Sequence, residues 1–440
     1  MKGIVIAGTG SGVGKTSITV GLMRRLSRKA KVQGFKVGPD FIDPMYHKSA
    51  TGRHSRNLDS FMMSRDTVKN VAFCGSKDAD ISIVEGVRGL YEGSSGKDDS
   101  GSTAEIAKIL GFPVVLVVNA RSLTRSAAAM VKGFMAYDKD IEIAGVILNN
   151  VSGTQHENKL RDAMRGSDVP VLGMVRRNAE HKIPERHLGL NTDESGSRQM
   201  LDGMESLTDD VDIDSLVGMC RDTVSDSIRC PYKRRNSGLK AAVPMDDAFC
   251  FYYRENIECL EASGIRVEYF SPLNGDPLPN ADIYYLGGGY PELYTERLSE
   301  NTDFFQGLNT ACCDNKVIIG ECGGMLSMCS SIECGGKVCD AAGIFGAKAR
   351  MVGKRHGPAY IEARPNKNCV LFRETVRGHA FHYSDVDTAP GCVFGLDIER
   401  GIGMNGMRDG LINMNSMGSY MHQHALSAKD WAGGIAERCG

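Results

Sequence analysis

The segment Gly8-Thr-Gly-Ser-Gly-Val-Gly-Lys-Thr16 constrains this chain more than any other stretch. It follows the apolar run Gly3–Ala7 and opens an amphipathic segment over Thr16–Leu26, the strand–loop–helix setting of a phosphate-binding loop. Glycines let backbone N–H groups turn inward around phosphate oxygens, and the start of a helix adds a favourable dipole. Thr9, Gly10, Ser11, Gly12, Val13 and Gly14 are expected to cradle a nucleotide. Lys15 then reaches its β- and γ-phosphates, and the Thr16 hydroxyl ligates Mg²⁺. The strict pattern has Gly at position 9, where this chain has Thr9. A dinucleotide fingerprint fails, because neither Gly8-x-Gly10 nor Gly10-x-Gly12 continues to a Gly at the sixth position.

Further apolar runs follow at Val32–Val37, Ile81–Val84, Val114–Val118, Gly145–Leu148 and Val169–Val175, with amphipathic stretches such as Ser122–Met135 between them. Buried strands alternating with helices predict a parallel, doubly wound α/β sheet. Residues 193–238 change character: a polar, acidic stretch of helical period leads into the linker-like CPYKRRNSG. A second α/β pattern begins at Leu239–Val243, with strands near Val267–Phe270, Ile283–Leu286 and Val317–Ile319, and short Gly-rich strands after residue 335. At 440 residues the chain is too long for one ordinary core. The expected organisation is a phosphate-loop domain over 1–192, a helical segment and linker over 193–238, and a second α/β domain over 239–440.

Two acidic clusters stand at strand ends of the first domain. Asp40 and Asp43 follow Lys36-Val-Gly-Pro, and Glu85 ends the run Ile81–Val84, where open α/β sheets place ligands. Glu85 occupies the position of a carboxylate that holds Mg²⁺ or its water. In the second domain, Val317-Ile-Ile-Gly-Glu-Cys322-Gly-Gly-Met reads as strand, sharp turn and helix, a nucleophile elbow built on cysteine. A helix starting at Gly323 and a nearby His are expected to lower the Cys322 pKa and favour thiolate at neutral pH. His422 is the candidate base, with His379, His382 and His424 as competitors. The backbone amides of Gly323 and Gly288 are the candidate oxyanion donors. A buried structural cysteine is the bland alternative for residue 322.

The formal net charge is −2, so nothing favours nucleic acid or an anionic membrane surface. No stretch approaches the roughly 20 apolar residues of a spanning helix, and a cytoplasmic protein is expected. Of fourteen cysteines only Cys74 precedes residue 220, and none forms a C-x-x-C pair. Zinc-ribbon, thioredoxin and simple iron–sulfur readings therefore lack support, and most cysteines are expected to be buried apolar residues.

The chain resembles the cobyrinic acid a,c-diamide synthase family along nearly its whole length. The resemblance is carried by Gly12-Val-Gly-Lys-Thr16, FKVGPDFIDPMYH (35–47), VEGVRGLYEG (84–93), GSTAEIAKIL (101–110), GVILN (145–149), IPERHLGL (183–190), DDAFCFYY (246–253), FSPL (270–273), GGGYPEL (287–293), GECGGM (320–325), RGHAFHYS (377–384) and GSYMHQH (418–424). The front half is similar to dethiobiotin synthetases, and the rear half looks like a class I glutamine amidotransferase. The resemblance implies two α/β domains and an ATP-dependent amidoligase that hydrolyses glutamine at Cys322 with His422. Ammonia then displaces phosphate from an acyl phosphate on the a and c acetates of a tetrapyrrole. It assigns Lys15, Thr16, Asp40 and Glu85 to ATP, Mg²⁺ and phosphoryl transfer, and Asn149 to the adenine. Asp43, Tyr46, Arg88 and Glu92 fall to the tetrapyrrole site. Glutamine and a tetrapyrrole polycarboxylate are the implied partners, and a homodimer is compatible. Two departures stand out. Glu92 replaces the usual Asp of LYDG, and His424 stands where many class I glutaminases carry Glu. The first touches the choice between cobyrinate and nickel sirohydrochlorin, which a related branch amidates in coenzyme F430 biosynthesis.

Overall fold

The apolar run before the phosphate loop forms β1 (Lys2–Gly8), with six of its seven residues buried. A computed structural model describes residues 1–177, 194–224 and 228–439, without the side chains of 194–197 and 355. It divides into two units, Met1–Cys230 and Pro231–Gly440. The 183–190 block and the expected boundary at 192 lie outside the described residues.

In the first unit, α1 (Lys15–Ser27) leads to β2 (Val32–Val37), α2 (Ile42–Thr51), β3 (Arg56–Leu58), α3 (Arg65–Gly75) and β4 (Ile81–Glu85). Then come α4 (Thr103–Leu110), β5 (Val114–Asn119), α5 (Arg125–Tyr137), β6 (Ile143–Val151), α6 (Thr154–Met164) and β7 (Val171–Arg176). The parallel strands run in the order β3-β2-β4-β1-β5-β6-β7. β1 is central, with β4 on one side and β5 on the other, so the loop after it opens at the carboxyl edge of the sheet. Local signals agree with this path. Ser102 accepts from the Glu105 N–H to cap α4, and Gly111 ends that helix in the left-handed conformation.

The polar stretch after residue 193 is not a free-standing segment. It supplies α7 (Glu194–Ser206), α8 (Ile213–Met219) and β8 (Arg221–Asp222), and β8 pairs antiparallel with β1. A Cβ on Gly21 of α1 would fall 2.1 Å from the Met204 carbonyl oxygen, so α7 lies directly on α1. This acidic helical stretch therefore belongs to the first unit.

The second unit begins with β9 (Lys240–Pro244), α9 (Arg254–Ala262), β10 (Arg266–Phe270), β11 (Ile283–Leu286), α10 (Thr295–Glu300) and α11 (Thr302–Cys313). β12 (Val317–Glu321) and α12 (Gly323–Met328) follow, then β13 (Ser331–Cys334), β14 (Lys337–Asp340), β15 (Ala347–Pro365) and β16 (Val376–Thr388). The chain closes with β17 (Val393–Arg400), β18 (Arg408–Asn413), β19 (Ser416–Ser419), β20 (His422–Gln423) and α13 (Trp431–Ala436). Strands β10-β9-β11-β12-β19 are parallel, and the sheet continues antiparallel through β18, β17 and β15. Both faces of the parallel half are covered: Ile318 packs into one core, Val317 and Ile319 into the other.

Two expectations need correction. The region after residue 335 holds long strands, 19 residues in β15 and 13 in β16, with register shifts that bend β15. Of the fourteen cysteines, all free, only six are buried. Cys334 and Cys339, for example, sit on the edge hairpin β13–β14, where β14 has no outer neighbour among the described residues. Among the described residues no helix is long and apolar enough to cross a membrane.

Candidate functional site

In the first unit, Gly12 and Gly14 adopt left-handed φ values of 74° and 88°, which turns the loop into α1. Ser11 and Gly12 are exposed at its tip, and Val13 and Lys15 are buried. The Thr9 N–H donates to the Val117 carbonyl at 3.1 Å, tying the loop to β5. The Asn149 amide donates to the Val13 carbonyl at 2.8 Å, and a Cβ on Gly14 would strike it. Asn149 thus braces the loop backbone.

Below the loop, charge converges on Glu85 at the end of β4. Its Oε1 accepts from the Thr16 hydroxyl at 2.6 Å and the Lys36 ammonium at 3.0 Å, and its Oε2 lies 2.7 Å from His47 Nε2. Lys36 also bonds Asp43 Oδ2 at 2.5 Å, and Thr16 Oγ1 is 3.4 Å from the same oxygen. Burial works against the Glu85 charge, but Lys36, His47 and Lys15 together outweigh it and hold the carboxyl well below the usual range. Burial, reinforced by Asp40 and Glu85, pushes Asp43 upward against the pull of Lys36. The Lys36 ammonium is held protonated: burial opposes its charge, and three carboxylates outweigh that.

Two of the residues assigned to the tetrapyrrole are buried. Asp43 is buried inside this cluster, and Tyr46 is buried in the core beside α1. Both lie on α2, whose inner face packs on the sheet. Arg88 and Glu92 are exposed, on a loop whose Leu90 N–H bonds the Gly8 carbonyl. Asp40 Oδ1 accepts from the N–H groups of Ile42 and Asp43, two of the unpaired donors at the start of α2. Thr16, Glu85 and Asp43 offer hard oxygens of the kind Mg²⁺ takes beside nucleotide phosphates, so the donor set fits that ion.

In the second unit Cys322 follows β12 with φ 48° and ψ −106°, a strained conformation worth about 1–3 kcal/mol. Its own N–H is spent on the Ser419 carbonyl at 2.8 Å. A Cβ on Gly324 would sit 2.2 Å from the Leu286 carbonyl oxygen, so the elbow needs glycine to approach β11. Burial works against the expected lowering of the thiol pKa. Burial, with the charge of Glu292, pushes Cys322 up to about 12, and the Gly323 N–H only partly offsets this. A buried thiol of this kind must lose its proton to a base as it attacks.

His422 enters from β20, paired with His379 of β16 and stacked on its ring at 4.9 Å. A Cβ on Gly288 would fall 2.3 Å from His422 Cε1, so this glycine makes room for the imidazole. The Gly288 N–H is not an oxyanion donor, because it bonds the Phe251 carbonyl at 3.2 Å. The next amide, Gly289 N, lies 3.2 Å from where a side chain at 323 would begin, and faces the elbow. His422 Nδ1 stands 3.7 Å from Glu321 Oε2. His424 is engaged elsewhere, its Nε2 lying 3.8 Å from Glu255 Oε2.

Comparison with known proteins matches residues 4–190 to the CobQ/CobB/MinD/ParA nucleotide binding domain and residues 240–430 to the CobB/CobQ-like glutamine amidotransferase domain. The cobyrinate a,c-diamide synthase of Methanocaldococcus jannaschii is 43% identical over 437 residues, covering 97% of each chain. That of Methanosphaera stadtmanae is 40% identical, over 98% of this chain and 97% of its own. That of Methanosarcina acetivorans is 39% identical, over 99% and 95%. The chain belongs to the cobyrinate a,c-diamide synthase family. This family member is a glutamine-dependent, ATP-using amidoligase.

Sequence patterning does not assign Lys36, His47 or Glu321 in this cobyrinate a,c-diamide synthase relative. Signals for two of them exist. A lysine inside the buried strand VQGFKV needs a partner, and Asp43 and His47 stand four residues apart on one helix face.

Proposed function

We propose that this protein amidates the a- and c-acetate carboxylates of cobyrinate, spending ATP and glutamine. The observation that carries this reading is the pairing, in one chain, of a strained Cys322 elbow, on a strand paired with the one that leads to His422, with a phosphate loop whose Thr16 hydroxyl meets Glu85. Near-full-length identity to relatives named for that reaction supports the substrate class.

In the second unit Cys322 Sγ attacks the glutamine amide carbon as His422 takes its proton. The tetrahedral oxyanion is met by the N–H groups of Gly323 and Gly289. His422 returns the proton to the departing nitrogen, releasing ammonia, and then activates water to clear the glutamyl thioester. In the first unit the loop 9–16 holds ATP, and Lys15 and Lys36 counter the charge of the transferring phosphoryl group. Mg²⁺, held by Thr16 and Glu85 with Asp43 or Asp40, supplies charge neutralisation when bound. The carboxylate becomes an acyl phosphate with release of ADP, and ammonia displaces phosphate to leave the carboxamide. Exposed Arg88 and Glu92 are candidates for contacts with the macrocycle.

The deciding experiment offers cobyrinate and nickel sirohydrochlorin separately with ATP and glutamine, and weighs the products. Gain of two amides on cobyrinate supports the reading, and amidation of nickel sirohydrochlorin alone overturns it. Cys322→Ala should abolish glutamine-dependent amidation and retain ammonia-dependent amidation.

A further inference from the structure

We propose that Glu321, the residue immediately before the nucleophile, is the positioning acid for His422: its carboxylate holds the Nδ1–H so that Nε2 faces the Cys322 thiol. The proposal rests on the reading of Cys322 and His422 as a glutaminase pair.

The acid of such a set must be buried, close to Nδ1 and itself fixed. Glu321 meets all three conditions. It is 1% exposed, and its Oε2 lies 3.7 Å from His422 Nδ1, longer than a hydrogen bond and of the kind that catalytic contacts shorten in substrate complexes. Its Oε1 accepts from the Tyr285 hydroxyl at 3.1 Å, and that hydroxyl accepts from the Asn256 amide at 2.9 Å. Asn256 also clamps the strand bearing the base, donating to the Gln423 carbonyl at 2.8 Å and accepting from the Ala425 N–H at 2.7 Å. One buried network therefore fixes the acid and the backbone on the far side of His422. Strand pairing adds to this, since Glu321 of β12 lies opposite Ser419, three residues before the base.

The alternative acid position is filled by His424, which cannot serve. It carries no carboxylate, and its Nε2 is set against Glu255. With its Nδ1 proton aimed at Glu321, His422 keeps the Nε2 lone pair for the thiol. The proton passes from Cys322 Sγ to Nε2 as sulfur bonds the amide carbon. It returns to the leaving nitrogen as ammonia. Between those events the imidazolium stands beside Glu321. Burial raises the Glu321 pKa and His422 draws it down, the behaviour of a carboxyl whose charge depends on its partner.

The test compares full-length wild type, Glu321→Gln, Glu321→Asp and Cys322→Ala by glutamate release across pH. Glu321→Gln should lose about a thousandfold in kcat with KM little changed, because the wrong imidazole tautomer is favoured. Losing the carboxylate removes the anion beside the imidazolium formed in the reaction, so the acid limb of the kcat profile should move. Glu321→Asp should recover part of the rate, and ammonia-dependent amidation should persist in both. A Glu321→Gln enzyme within threefold of wild type, with an unmoved acid limb and an inactive Cys322→Ala beside it, overturns the proposal. Glutamine hydrolysis surviving in Cys322→Ala would instead bring down the glutaminase reading beneath it. Should Glu321→Gln fail to fold, Tyr285→Phe carries the same test with a smaller fall in kcat, and an unchanged rate and profile there counts against the proposal.

Discussion

The Thr16 hydroxyl donates to Glu85 Oε1 at 2.6 Å, joining the first turn of the phosphate-loop helix to the end of β4. Glu85 is also the shared partner of Lys36 and His47, so one carboxylate organises the base of the nucleotide site. Glu85→Gln keeps the shape and removes the charge. The expected result is loss of ATP-dependent amidation by a factor of about 10³ or more, the scale of removing one preorganised electrostatic group from a dry site. Basal glutamate release should be unchanged. Product mass spectrometry and a glutamate assay on the same preparation check both halves, and unchanged amidation would refute the role.

The parts of this arrangement that were legible beforehand are those with local chemistry. The phosphate loop needs a strand, glycines and a helix in fixed order, and Cys322 needs the same punctuation. The helix α2 was not legible, because Pro44 reads as a breaker. It falls in the first turn, where a missing N–H costs nothing. The long strands β15 and β16 were hidden by glycines and by register shifts between Met351 and Ala359. The His422 partner was invisible for a different reason. Glu321 and His422 are a hundred residues apart, and only the pairing of β12 with β19 brings them together.

Burial of Cys322 predicts slow chemistry at rest. Its thiol is pushed up to about 12, so the thiolate is a minute fraction at neutral pH. Iodoacetamide at pH 7 without glutamine should label exposed Cys230 and Cys313 well before Cys322. Peptide mapping over time gives the order. Labelling of Cys322 ahead of both would show that a resting thiolate exists after all.

Gly288 touches His422 more closely than any side chain could. Its Cβ would lie 2.3 Å from Cε1, so Gly288→Ala must displace the imidazole. Stacking on His379 and the pairing of β20 with β16 leave the ring little room to retreat. A shift near 1 Å at a catalytic base costs about a hundredfold in rate. Glutamine-dependent amidation should fall by that order while ammonia-dependent amidation holds. Equal loss with both nitrogen sources would mean that the substitution damages the fold instead.

Asp409, beneath the turn that leads to His422, predicts a pH dependence of stability. Its Oδ1 accepts from the N–H groups of Gly410 at 2.7 Å and Tyr420 at 3.3 Å, while Oδ2 is buried with no hydrogen-bond partner among the described residues. Burial pushes the carboxyl up to about 7, against roughly 3.9 in an unfolded chain. Between those values the native state keeps a proton that the unfolded state has released. Stability from this group is therefore full below about pH 4 and declines as pH rises toward 7, by at most about 4 kcal/mol. Asp409→Asn cannot titrate and should flatten that decline, whatever its effect at a single pH. Denaturant unfolding of both proteins at pH 5, 6, 7 and 8 measures the difference. Parallel curves would show that Asp409 is already ionised in the folded protein, with its charge carried by the two amides.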